Sequence, residues 1–190
     1  MVIALAASCL DNDEAYLNIG VWDGFSLVAA SLGAPDATSV GVDNFSEMNQ
    51  RQQPLLNPNL NRDYGDTRGN FYRALKHCGT PKTAFHEMDW RDFISDTSLF
   101  PAGRLGVVYY DGEHTEDAHT EFFAVILPHL SEECVLLVDD TRIDFVRHSI
   151  DNFVQANPDF KTLINVGGKR RRDPAWWGGF SVIGRYANLQ

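Results

Sequence analysis

The chain has 190 residues, 44% hydrophobic and 22% charged, which is an ordinary globular composition and enough length to bury a core without disulfides or a structural metal. The formal charge of −10 argues against non-specific binding to nucleic acid or to an anionic membrane. Three scattered cysteines (Cys9, Cys78, Cys134) suit a reducing compartment, and no run approaches the ~20 apolar residues of a membrane span, so the expectation is one soluble, cytoplasmic domain over 1–190.

Residues 2–10 are apolar and end in Ala-Ala-Ser-Cys9, but they lack a basic leader; a helix packed ahead of the first strand is preferred to an export signal. Residues 15–20 read as a strand ending in a glycine turn. Residues 25–32 read as a helix stopped by Gly33-Ala-Pro35, and 39–43 as a second strand. Residues 44–66 are polar, with five asparagines and two prolines, and read as a lid, a binding loop or a disordered segment. A helix over 67–78 carries Phe71, Leu75 and Cys78 on one face. A third strand over 83–88 leads into Asp89-Trp90 and a short helix to Ile94.

Two hydrophobic runs then end in carboxylates: Leu105-Gly-Val-Val-Tyr-Tyr-Asp111-Gly-Glu-His114 and Val135-Leu-Leu-Val-Asp139-Asp140. With helical spacing over 115–130 between them, they form a βαβ unit with parallel strands. A helix over 142–156 and strands over 160–166 and 180–186 close the chain. The loop between the last two strands holds Lys169 to Arg172 with Trp176 and Trp177, and reads either as a solvated hairpin tip or as a clamp for an anionic group with flat surfaces for a ring. The order βαβαβαβαβαββ predicts an α/β, Rossmann-like, mostly parallel seven-stranded sheet with helices on both faces and a C-terminal antiparallel hairpin.

In such a sheet Asp111, Asp139 and Asp140 meet at the carboxyl edge, where open α/β sheets bind ligands. Three carboxylates there repel one another unless a cation or protons compensate, and an oxygen-only ligand set points to Mg2+ or Ca2+ rather than zinc. Adjacent residues of an ideal strand face opposite ways, so Asp139 and Asp140 share a metal only if the strand has ended. Gly20 permits a tight turn, Gly24 lets backbone approach a ligand, and Asp43 at the next strand end can accept both hydroxyls of an adenosine ribose; each also has a purely structural reading. Asp89-Trp90 reads as an adenine contact or as a helix N-cap beside a core tryptophan. His114 is a general-base candidate or a helix-start histidine.

The stretches Tyr16-Leu-Asn-Ile-Gly-Val-Trp-Asp-Gly-Phe-Ser26, Gly41-Val-Asp43-Asn-Phe45, Tyr110-Asp-Gly-Glu-His114 and Leu137-Val-Asp-Asp140 together resemble class I S-adenosylmethionine-dependent methyltransferases. More narrowly, they are similar to metal-dependent O-methyltransferases of the macrocin and novobiocin-sugar type and to cephalosporin-hydroxylase-like proteins. The resemblance implies an S-adenosylmethionine site built by Gly20, Gly24 and Asp43, with Asn18, Trp22, Ser26, Asp89, Trp90 and Asp111 in the same set. It also implies Mg2+ on Asp111, Asp139 and Asp140; beside that metal, Asp111 and His114 are the catalytic candidates. Asn18 stands where this class usually has an acid, and Ser131-Glu-Glu-Cys134 replaces the usual Pro-Gly-Gly turn before the fifth strand. The implied activity is methyl transfer to a hydroxyl of a small molecule, with a sugar or natural product as the acceptor class. Hydroxylase-like chemistry or a catalytically degenerate nucleotide-binding module are the rival readings, and a homo-oligomer is left open.

Overall fold

The computed structural model describes residues 2–46, 66–101, 103–167 and 178–186. A strand covered on both faces must be apolar at nearly every position, and this is why β1 (Glu14–Ile19), β2 (Thr38–Val42), β4 (Arg104–Tyr110) and β5 (Leu130–Asp139) form the middle of the sheet. β3 (Thr83–His86), β6 (Phe160–Val166) and β7 (Phe180–Arg185) complete seven strands in the order β3-β2-β1-β4-β5-β7-β6. All neighbours are parallel except β7, which runs antiparallel to both β5 and β6. The expected mostly parallel sheet with a C-terminal antiparallel hairpin is therefore what forms.

Side chains of a strand alternate between faces, and the two cores follow that alternation. Tyr16, Val107, Tyr109 and Leu137 pack with α1 (Val2–Ala7), α2 (Phe25–Gly33) and α3 (Thr67–Cys78) through Ala7, Leu27 and Phe71. Leu17, Val108, Tyr110 and Leu136 pack with α4 (Trp90–Ser95), α5 (Glu116–Ile126) and α6 (Asp144–Ala156) through Phe93, Phe122 and Ile150. Each large side chain buried this way contributes roughly 1.5–3 kcal/mol. Side-chain oxygens cap three helices: Asp66 accepts from the Gly69 amide, Asp89 from the Arg91 amide and Thr115 from the Ala118 amide. No helix among the described residues is long and apolar enough to cross a membrane.

The chain departs from the expected boundaries mainly around β5. The helix expected to reach Leu130 stops at Ile126, and Leu127–His129 form a 3-10 turn, because Pro128 lacks the N–H a further helical turn needs. Leu130 already pairs with Leu105, so Ser131-Glu-Glu-Cys134 belongs to β5 rather than to a turn before it. The register shifts there: while β4 advances from Leu105 to Val107, β5 advances from Leu130 to Val135. The Arg185 guanidinium holds the irregularity by donating to the carbonyls of Leu130, Ser131 and Glu132. Most of the loop expected as a lid, residues 47–65, and the basic and aromatic loop, residues 168–177, lie outside the described residues.

Candidate active site

Parallel strands deliver their carboxyl ends to one edge, and a crevice of about 280 Å3 lies there, lined by Gly20, Trp22, Asp43, Asp89, Trp90, Asp111 and His114 with their neighbours. β1 runs into Gly20 at φ 79°, and a Cβ on Gly20 would lie 1.9 Å from the Asp111 carbonyl oxygen. Only glycine lets the loop pass so close to the end of β4. The Asp111 amide donates to the Ile19 carbonyl (2.8 Å) and the Gly20 amide to the Val42 carbonyl (2.9 Å), tying the loop to both neighbours.

Asp43 then secures the loop. One carboxylate oxygen accepts from the amides of Val21 (2.9 Å) and Trp22 (3.2 Å), and the other from that of Phe45 (2.7 Å). Trp22 and Phe45 sit at φ 46° and 52°, a left-handed conformation that costs roughly 1–3 kcal/mol at a non-glycine residue. The charge-assisted bonds from Asp43 offset that strain. A carboxylate has about four lone-pair sites, so Asp43 keeps capacity for a ligand hydroxyl beyond these backbone donors.

Three residues expected at the cofactor do not line the crevice. Asn18 is fully buried beneath the loop, where its amide nitrogen donates to the Gly20 carbonyl (2.7 Å) and its oxygen accepts from the Tyr16 hydroxyl (3.2 Å). An ionised acid could not make the first of these bonds, which gives the departure at Asn18 a local reason. Gly24, at φ 89°, begins α2, and a Cβ there would meet the Phe71 ring at 2.9 Å; its glycine serves helix packing. Ser26 is buried within α2.

On the opposite wall, Asp89 and Trp90 carry both of their expected readings. Asp89 caps α4 and accepts from the Asn44 side chain (3.3 Å), and Trp90 packs edge-on against Tyr110 and Phe122, yet both face the crevice. Arg91 was not singled out by the sequence. Its guanidinium stands 4.3 Å over the Trp90 ring and bridges Glu121 (2.6 Å) and Glu113 (3.2 Å), partners too distant in sequence for any local pattern to join them.

Asp111 and His114, which line the crevice, and the adjoining Asp140 each present one ligand atom, all within 4.8 Å of one another. His114 Nε2 lies 2.5 Å from Asp140 Oδ2 and 3.8 Å from Asp111 Oδ1. Asp139, the third aspartate of the set read from the sequence, is not in this group. Its carboxylate accepts from the Tyr109 hydroxyl (2.5 Å) and from the Asp140 amide (2.7 Å). The cause is local: β5 ends at Asp139 and Asp140 turns to φ 55°, which sends the two carboxylates apart. Burial raises the Asp139 carboxyl above its ordinary pKa, and burial with the nearby Asp111 and Asp139 charges raises the Tyr109 hydroxyl well above its own.

The methyltransferase-domain family matches residues 17–141, a span running from β1 through the acids at the end of β5. The chain belongs to that family. The resemblance to class I S-adenosylmethionine-dependent methyltransferases read from the motifs therefore holds. Among solved structures, this methyltransferase is similar to the cofactor-bound protein Rv0187 from MTB (TM-score 0.66, 15% identity, 98% of this chain and 79% of that one). It is also similar to an O-methyltransferase from Bacillus cereus in complex with SAH (0.63, 13%, 97% and 77%). A third is TomG, an O-methyltransferase of tomaymycin synthesis from Streptomyces achromogenes, in complex with SAM (0.63, 16%, 98% and 78%). At these identities the likeness speaks for the fold. A search of curated proteins gives no match.

The group of Asp111, His114 and Asp140 in this methyltransferase suits a divalent cation by donor chemistry, with two carboxylate oxygens and one imidazole nitrogen. Ligand atoms around a six-coordinate ion with bonds of about 2.1 Å stand about 3 Å apart when adjacent and about 4.2 Å apart when opposite. The observed separations of 2.5 and 3.8 Å need only small side-chain adjustments to reach those values.

Proposed function

We propose that this methyltransferase uses S-adenosylmethionine to methylate a hydroxyl of a small molecule, with a divalent cation at Asp111 and Asp140; Mg2+ is the ion the motif resemblance implies. The observation that carries the reading is adjacency: the Gly20 loop, Asp43, Asp111 and His114 line one crevice, and Asp140 meets the His114 imidazole beside it. When bound, the sulfonium cofactor supplies an electrophilic methyl group and the cation lowers the pKa of an acceptor hydroxyl.

The chain's own residues do the positioning. The loop and Asp43 offer polar groups for a ribose, Trp22 and Trp90 supply apolar walls for a base, and Asp111 and His114, on the same crevice, are the groups that would take the proton of an acceptor hydroxyl. A small acceptor, such as a sugar or natural product, is favoured over nucleic acid because a net charge of −10 repels a phosphate backbone. Calorimetry with S-adenosylhomocysteine tests the core of the reading. Saturable binding to the folded protein is expected, and no binding would remove it.

A further inference from the structure

We propose that Arg91 is a specificity-determining residue of the crevice. Its guanidinium donates to a ring nitrogen of the cofactor's adenine while Asp89, beside it, accepts from the exocyclic amino group. The inference rests on the cofactor of the proposed function and concerns how this chain tells its base from others.

Arg91 lines the crevice with its guanidinium fixed from three sides. Nε donates to Glu121 (2.6 Å), Nη2 donates to Glu113 (3.2 Å), and Cζ stands 4.3 Å over the Trp90 ring. Glu113 is in turn held by the Thr115 hydroxyl, which donates to its other carboxylate oxygen (3.3 Å). A guanidinium carries five N–H donors in a rigid fork, and these bonds use two of them. The remaining arm, Nη1, comes to 3.8 Å from Asp89 Oδ1, beyond hydrogen-bond reach, and donates to no acceptor among the described residues.

Asp89 is fixed in the same way. One carboxylate oxygen accepts from the Arg91 amide (2.9 Å) as the cap of α4, and the other accepts from the Asn44 side chain (3.3 Å). A carboxylate has about four lone-pair sites, so room is left for a further donor. Two neighbouring residues of the crevice thus hold an acceptor and a donor side by side, 3.8 Å apart and too far to satisfy each other. Adenine carries the complementary pair, an N6 amino donor flanked by the ring acceptors N1 and N7. A single Asn or Gln amide reads that pair with one acceptor and one donor; here Asp89 and Arg91 divide the task. Guanine places its O6 acceptor where adenine has the amino group, and that oxygen would face the Asp89 carboxylate with no proton between them.

The test is calorimetry of wild type and Arg91→Met with S-adenosylhomocysteine and its 1-deaza and 7-deaza analogues, each of which lacks one ring acceptor. Thermal unfolding checks that the variant folds. Wild type should bind one of the two analogues about tenfold or more weakly than the parent, the loss expected for a hydrogen bond from a charged donor. Arg91→Met should bind the parent about tenfold or more weakly than wild type does, and should treat parent and that analogue alike within about threefold. Equal binding of all three ligands by wild type overturns the inference whether or not the variant folds. A variant weakened on every ligand by one factor, with the wild-type ratio between analogue and parent kept, would make Arg91 only a brace of the crevice wall and overturns it too. Either result leaves S-adenosylhomocysteine bound and the methyltransferase reading standing. A wild type that binds none of the three removes that reading and this inference together.

Discussion

The Tyr109 hydroxyl donates to Asp139 across 2.5 Å, and this bond separates two adjacent aspartates into different roles. Asp139 becomes part of the fold beneath the crevice, while Asp140, one residue later and in left-handed backbone, faces His114. Tyr109→Phe should lower stability by about 1–3 kcal/mol, the cost of leaving a buried acceptor without its donor. Urea unfolding measures that loss, and Mg2+ affinity should stay within a few-fold of wild type. A large loss of metal with unchanged stability would place Asp139 in the metal site after all.

Asp43 braces the loop through backbone amides and faces the crevice. Asp43→Ala should weaken S-adenosylhomocysteine by about 1.5–3 kcal/mol, the usual worth of hydrogen bonds to a charged group. Asp43→Asn keeps one acceptor oxygen and should fall between. Calorimetry decides it, and unchanged affinity in folded Asp43→Ala would show that neither the ribose contact nor the loop brace matters to the cofactor.

Gly20 and Gly24 both have positive φ but meet different neighbours. A methyl at Gly20 runs into the Asp111 backbone at 1.9 Å, which cannot yield without opening the β1–β4 junction. A methyl at Gly24 meets the Phe71 ring at 2.9 Å, a fully buried side chain packed against Phe45, Tyr72 and Phe85, so a side chain rather than backbone must shift. Both substitutions should therefore cost more than the ~1–2 kcal/mol that left-handed backbone costs any L-residue, and Gly20→Ala, which meets backbone, should cost clearly more than Gly24→Ala, which meets a side chain. Equal losses in denaturant unfolding would contradict this.

Cys134 is buried where β5 pairs with β7, and burial pushes its thiol up to about 11 from the ordinary 9.0. The folded state holds the thiol proton more tightly than the unfolded one, so its stabilising contribution is complete below about pH 9 and is lost as pH rises through 11. The loss is on the order of 2–3 kcal/mol. At pH 8 an aromatic disulfide reagent should label the exposed Cys9 and Cys78 quickly and Cys134 only on unfolding. Three equally fast thiols would contradict the burial.

How much of this was legible beforehand follows from the range of each interaction. The strands, their parallel order and the closing hairpin are visible in the sequence because apolar runs and glycine or proline stops are local, and the right-handed crossover leaves few ways to assemble them. The same logic places Gly20, Asp43, Asp89 and Asp111 at one edge, since each follows the end of a strand. What the chain order cannot convey is orientation within that edge. Whether Asp139 or Asp140 meets His114 depends on where β5 releases its ladder and on one backbone angle. Whether Asn18 touches a ligand depends on the loop folded above it, and Arg91 finds Glu113 and Glu121 only when α4 and α5 pack together. Replacement of Asp139 by His114 in the polar group is a tertiary event of the same kind. Periodicity along a strand sets which residues arrive at the site, and packing between strands sets which of their atoms meet.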